Sequence, residues 1–388
     1  MSITIYDNST YLFPDSGEYA RECLFQVFKI AQVVGHGSVQ VEFYIAILGV
    51  LVTSCHLVVL TRKAMITSSV ITIMMGVAVF DLLSMAIMMK SKSMLYETEG
   101  TDCSPPATLL SFRIFWFFIA IRDMVHRSST WLGVLMALIR FAGLRFAMNP
   151  SFLRMSKPRF GMYAVVGSLV PSAVLSVFYW LRYNIVEDKT WKPNTNCSDY
   201  SPSTEEPSFT QKPSALFTWN DGIVGKSFMV INGLTSKILP CILLPLLTGL
   251  LISQLRQAKK TRELMNSPDK GKSTEKTTVL VIFMAISFFI AEIPIGTALI
   301  FQVAYTEIGF LLLATYVNHL CNLLFTLNSI IHCIIFFVMS SQYRKTVRKF
   351  IKGEKSSEVA SEYGKRTVVS VAIQNISNNS SLKSIRQM

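Results

Sequence analysis

Residues 43–60 read FYIAILGVLVTSCHLVVL, residues 61–64 read TRKA, and residues 65–89 read MITSSVITIMMGVAVFDLLSMAIMM. Each long run has about the 20 residues that carry a helix across roughly 30 Å of hydrocarbon. The turn between them holds two charges, Arg62 and Lys63, both basic. Only helices and closed barrels satisfy every backbone group in lipid, and neither run alternates apolar with polar residues as a barrel strand does. The stretch therefore reads as two membrane helices joined on a basic side.

The pattern repeats. Ile114–Ile139, Phe160–Leu181, Ser227–Leu255, Thr277–Phe301 and Ile308–Met339 bring the expected spans to seven. The exceptions within them are few: Asp81 in span two, Arg122, Asp123, His126 and Arg127 in span three, Lys237 in span five and Glu292 in span six. Across 388 residues, 51% are apolar and 16% charged. A soluble domain usually carries about 25% charge, and a disordered chain is far less apolar. The composition excludes a soluble enzyme. No phosphate-binding loop, nucleophile elbow or His-Glu-x-x-His motif occurs. The five histidines (His36, His56, His126, His319, His332) fall at different depths, so no metal centre or cofactor is expected. Seven spans do not divide into the repeated halves of a transporter.

Charge sets the orientation. With the N-terminus outside, the inner segments (61–64, 140–159, 256–276 and 342 onward) hold 24 basic and 6 acidic residues, the outer ones 10 and 14. The positive-inside rule then places the C-terminus in the cytoplasm. The net charge of +13 faces anionic inner-leaflet lipids and implies no nucleic acid. Residues 1–39 lack a basic start followed by an apolar run, so no cleaved leader is expected.

The expected division is an extracellular segment 1–41, a seven-helix domain 42–341, a surface helix 342–352 and a disordered cytoplasmic tail 353–388. The surface helix rests on Tyr343, Val347, Phe350 and Ile351 at i, i+4, i+7 and i+8 among basic residues. The tail carries serines open to phosphorylation, Ser356, Ser357 and Ser361 among them. The second outer loop, about 183–226, reads as irregular because of Pro193, Pro202, Pro207 and Pro213. Asn8 and Asn196 are glycosylation acceptors on outer segments, while Asn379 lies inside and should be silent. Cys23, Cys103 and Cys197 lie outside, where disulfides form. A Cys103–Cys197 bridge would tie the second outer loop to span three, and Cys23 is the alternative partner for either.

Four stretches in order resemble a known family. They are His56–Met65 with Gly76–Asp81, Ser129–Arg140 with Met148-Asn149-Pro150, Phe288–Gly296, and Asn328–His332 with Met339–Arg344. Over about residues 40–352 the chain resembles the rhodopsin-like G-protein-coupled receptors. It is most similar to the nematode serpentine receptors of class W, which are similar to receptors for FMRFamide-like and myosuppressin-like neuropeptides. The chain departs from the wider pattern at Thr53, Ile139, Glu292 and His332, and Cys103 lies 37 residues before Arg140. Glu292 and His332 match class W.

The resemblance implies a rhodopsin-like seven-helix bundle, an extracellular peptide ligand, a heterotrimeric G protein, and arrestin at a phosphorylated tail. It implies an activation switch made of Asp81 (a sodium site, coupled to Asn328), Arg140, Glu292, Pro294, Asn328 and His332. The ligand set is Arg122, His126, Glu292, Asn318 and His319. Arg122 and His126 share a face with Ser129 and Gly133 at steps of 4, 3 and 4. Asp123 and Arg127 neutralise each other at i, i+4, which leaves Arg122 without a partner for a peptide carbonyl or carboxylate. Pro240 and Pro294 kink spans five and six. A bare carboxylate at mid-membrane is costly, so Glu292 is expected to pair with His126 or Arg127, or to be neutral. The rival readings are a small-molecule chemosensory receptor and a non-signalling transporter or scaffold.

Overall fold

The computed structural model describes residues 9–99, 103–146, 150–194, 205–264, 286, 289, 290, 292–298, 300 and 307–352. Asn8, Asn196, Cys197 and the tail from 353 lie outside these, as do Asn149 and most of the sixth run. The described chain is mainly helical. Its helices are α1 (Ser9–Leu12), α2 (Glu18–Leu60), α3 (Ser69–Glu99), α4 (Leu109–Arg145), α5 (Pro150–Met155) and α6 (Pro158–Trp180). A hairpin of β1 (Tyr183–Trp191) and β2 (Glu206–Pro213) follows. Then come α7 (Ala215–Gly233), a π turn (Leu234–Ile238), α8 (Leu239–Leu264), α9 (292–298), α10 (Ile308–Met339) and α11 (Ser341–Ile351).

Among the described residues, five stretches are long and apolar enough to cross a membrane: Glu18–Leu60, Ser69–Lys92, Pro158–Trp180, Ala215–Gln257 and Ile308–Val338. They correspond to expected spans one, two, four, five and seven. Helix α4 has the length but carries Arg122, Asp123 and Arg127. It packs against α3, α6 and α8, so these charges sit among helices and not in lipid.

Helix α2 begins well before the apolar run that announced it. Its 43 residues extend about 65 Å, twice the hydrocarbon thickness. Its buried positions, among them Phe25, Phe28, Gln32, Gly35, Glu42, Ala46, Gly49, Thr53, His56 and Leu60, recur at steps of three and four and face α10. At Gly35 the helices meet so closely that an added Cβ would sit 2.8 Å from the Tyr316 Cβ. The chain before α2 folds back over this pair. Leu12 and Phe13 are fully buried against Phe25 and Phe28 of α2 and Phe310 and Tyr316 of α10. The Arg21 side chain donates to the carbonyls of Phe13 (3.1 Å) and Ser16 (2.8 Å), and the Asp15 N–H donates to Glu307 Oε1 (3.0 Å).

The segment read as a second outer loop is not irregular throughout. Tyr183 pairs with Pro213 and Trp191 with Glu206 in an antiparallel ladder, with an irregularity between Glu187 and Lys189. Pro207 and Pro213 sit near the two ends of β2, where a missing N–H disturbs the ladder least.

The expected distortion of span five lies one turn before Pro240. The π turn Leu234–Ile238 inserts extra backbone there, and Pro240 opens α8. Helix α11 occupies the segment read as a surface helix. Ser340 caps it, accepting from the Tyr343 N–H at 3.1 Å, while Phe350 and Ile351 point outward.

Candidate functional site

Among the described residues, three ion pairs with at least one buried partner lie in the helical bundle. Arg122 of α4 pairs with Glu42 of α2, and the same carboxylate accepts from the Thr326 hydroxyl of α10 at 3.1 Å. Arg122 is thus not the unpaired cation expected from the sequence: its partner lies 80 residues away on another helix, beyond any local spacing rule. Glu42 is 1% exposed.

The second pair is the expected one. Arg127 bonds Asp123 one turn away, which the i, i+4 spacing gave. Arg127 also donates to Ser236 Oγ (2.7 Å), the Ser172 carbonyl (2.8 Å), Ser176 Oγ (3.1 Å) and Asn232 Oδ1 (3.1 Å). One side chain thereby joins α4, α6, α7 and the π turn.

The third pair corrects the expectation for Glu292. Its partner is neither His126 nor Arg127 but Lys237, whose Nζ lies 2.9 Å from Glu292 Oε2. Arg127 is occupied by the network just described, and His126 packs edge-on against Phe325. Lys237 belongs to the π turn, so the pair joins it to α9 two residues before Pro294.

Of the other proposed ligand residues, Asn318 and His319 lie half-buried on α10, and His319 is within electrostatic range of Arg122 and His36. Arg122, Glu42 and Thr326 are bonded together, and His319 lies two turns before Thr326 on α10, about 10 Å along the helix axis. Glu292 belongs to a separate pair.

A cavity toward the α11 end of the bundle joins most of the proposed switch. Asp81, Ser129, Arg140, Asn328, Ser329 and His332 all line it. The Ser129 hydroxyl donates to Asp81 Oδ1 at 2.7 Å. Two proposed switch residues, Glu292 and Pro294, are not among its lining. Below it, His56 Nδ1 lies 2.9 Å from the Tyr343 hydroxyl, and both residues are buried. This bond ties α2 to α11 and had no signal in the sequence beyond an apolar position on an amphipathic face. Tyr343→Phe leaves a buried ring nitrogen unpaired and should cost about 1–3 kcal/mol, read as a lower Tm in detergent with the α2 mutant His56→Phe as comparison.

Cys103 is disulfide-bonded, and Cys23, Cys55, Cys241, Cys321 and Cys333 are free. Among the described residues no three His, Cys, Asp or Glu side chains cluster as a metal site.

Sequence comparison brings in known proteins. The chain is 28% identical over 246 residues to the G-protein coupled receptor dmsr-1 of Caenorhabditis elegans, covering 61% of this chain but 46% of that protein. It is 25% identical over 328 residues to the sex peptide receptor of Drosophila melanogaster, covering 80% of this chain and 71% of that one. The chain therefore spans about half the length of the first relative. The profile of the serpentine type 7TM GPCR chemoreceptors, Srw, matches residues 40–354, which includes all three ion pairs, the cavity and α11. By that match over most of its length, the chain belongs to the Srw family of serpentine 7TM GPCR chemoreceptors.

Proposed function

We propose that this chain is a plasma-membrane receptor gated by a secreted neuropeptide of the FMRFamide-like class and coupled to a heterotrimeric G protein. The observation that carries the reading is the family match from residue 40 to 354. The peptide class draws support from the similarity to a receptor named for a peptide. The net negative outer segments suit a cationic peptide. The topology is a seven-helix bundle with the N-terminus outside. Cys103 bridges to Cys197, Asn8 and Asn196 carry glycans, α11 lies on anionic inner-leaflet lipid, and a phosphorylated tail recruits arrestin.

In this reading the ligand reaches the level of Arg122, His126, Asn318 and His319, where its polar groups compete for the Glu42–Arg122 pair. Binding shifts a two-state equilibrium toward a form with an opened inner face. Asp81, with the neutral oxygens of Ser129, Asn328 and Ser329 beside it, offers the hard-oxygen set that suits a sodium ion. Arg140 meets the G protein. Arg140→Ala should leave ligand binding near normal and abolish G-protein activation, and normal coupling at equal surface expression would refute its role.

The deciding experiment measures nucleotide exchange on a G protein while membranes carrying the full chain are exposed to amidated peptides and to small odorants. Peptide-dependent exchange supports the reading. Exchange driven by odorants alone supports the second one, a small-molecule chemosensory receptor, which the family's description favours. No exchange with either class would return the chain to the transporter or scaffold reading.

A further inference from the structure

Helix α2 carries a second regular face, turned away from α10. Cys23, Val27, Ile30, Val34, Gly37 and Val41 follow one another at alternating steps of four and three, and the alternation runs on to Val58. Every residue on this line is exposed. A 3.5-residue period is the seam of a two-stranded coiled coil. Lipid covers the inner half. About 20 residues counted outward from Thr61 end near Val41, so Val27, Ile30 and Val34 lie beyond the hydrocarbon, 47%, 66% and 43% exposed. Among the described residues nothing packs over them. Uncovered apolar surface outside lipid marks an interface.

The stripe is also clear of charge. The two nearest charged side chains of the outer half turn to their own helix: Glu22 accepts from Gln26 at 2.8 Å, and Lys29 sits 4.5 Å from the centre of the Phe25 ring. Together the exposed side chains of the whole stripe offer on the order of 800 Å² per chain, one partner's share of a standard interface.

We propose that a second copy of this chain docks along this stripe, parallel and in register, and that a Cys23–Cys23 disulfide closes the outer end of the dimer. Two copies inserted the same way in one membrane meet in parallel. A parallel seam sets each residue against its own twin, so a seam cysteine meets a cysteine. Valine at 27, 34 and 41 occupies the positions where β-branched residues favour two strands, and Gly37 lets the backbones approach. Cys23 is a free, exposed thiol, while Cys103 is already bonded. The bridge rests on the outward N-terminus of the topology proposed above. It forms by exchange with a disulfide-carrying oxidoreductase of the secretory pathway: the two thiols lose two protons and two electrons, and the carrier's disulfide becomes a dithiol.

The test uses the full chain in intact cells, expressed with two different tags. An unreduced gel should show a band at twice the 43.6 kDa of the chain, collapsing on reduction. Cys23→Ser should remove that band yet keep co-purification of the two tags. In the Cys23→Ser background, Ile30→Cys and Val34→Cys should cross-link on oxidation, and Lys29→Cys, off the stripe, should give at least tenfold less. Full labelling of Cys23 by an impermeant maleimide, with no cross-link at residues 30 or 34, would overturn the dimer and leave the topology standing. A Cys23 disulfide to a different protein would also overturn it. Labelling only after permeabilisation would overturn the topology and the bridge together.

Discussion

Glu292→Gln is expected to raise agonist-independent G-protein activation at matched surface expression. In the wild type Lys237 is buried and its Nζ lies 2.9 Å from the Glu292 carboxylate, itself 2% exposed. Neutralising the carboxylate leaves an ammonium in the interior without its counter-charge. Removing one partner of such a pair can cost roughly 3–5 kcal/mol, more than the few kcal/mol that separate the states of a switching protein. A state that hydrates Lys237 gains relative to one that keeps it buried, which sets the expected direction of the shift. Lys237→Met should act in the same direction. The double mutant Lys237→Met/Glu292→Leu should fall back toward wild type, because neither change then leaves a buried charge. Nucleotide exchange without agonist reads all three. Wild-type basal activity and agonist potency in Glu292→Gln would show that the pair is structural and holds no switch.

Arg127→Leu should empty the cell surface of receptor. Its guanidinium is 3% exposed and bonds five partners on four elements. Leucine takes the donor from the Ser172 carbonyl and the counter-charge from Asp123, which is 25% exposed and keeps the Ser176 hydroxyl at 3.2 Å, a loss of about 1–3 kcal/mol for each buried acceptor left unpaired in a fold whose total stability is typically about 5–15 kcal/mol. Asp123→Asn on top of Arg127→Leu should recover part of the surface signal, measured by flow cytometry of an N-terminal tag. A single mutant that reaches the surface at wild-type level would mean that water replaces the network.

The two pairs behind these predictions differ in how far they could be foreseen. Asp123–Arg127 is written in one helix at a fixed spacing. Lys237–Glu292 and Glu42–Arg122 are set by how helices distant in sequence are rotated and raised against each other, which no local pattern records. A weaker signal existed. Glu42, Lys237 and Glu292 are isolated charges at or within otherwise uncharged runs, and charge buried at that depth must find its opposite. Matching Glu292 to the lone cation of span five would have named the pair. Spans one, two, four, five and seven were legible because lipid imposes length and composition together. The first half of α2 was not, because Glu18, Arg21, Glu22 and Lys29 break the linear run of apolar residues by which a membrane span is recognised, while leaving its apolar faces intact. The hairpin was obscured by its prolines, which crowd the ends of β2 without breaking its middle.

The clasp of α2 on α10 has a consequence for biogenesis. The Glu42 carboxylate is bonded by Thr326, a residue made 284 positions later. At about 5–20 residues per second the ribosome needs roughly 15–60 s to reach it. Throughout that interval α2 holds a carboxylate and an apolar flank, Phe25 and Phe28, whose cover from α10, Phe310 and Tyr316, has not been synthesised. The earliest helix to enter the membrane is therefore among the last to be completed, and it must be sheltered by the insertion machinery until the chain is nearly finished. A chain stopped after α8 should stay cross-linkable to the translocon through residues near Glu42, while one extended through α10 should be released.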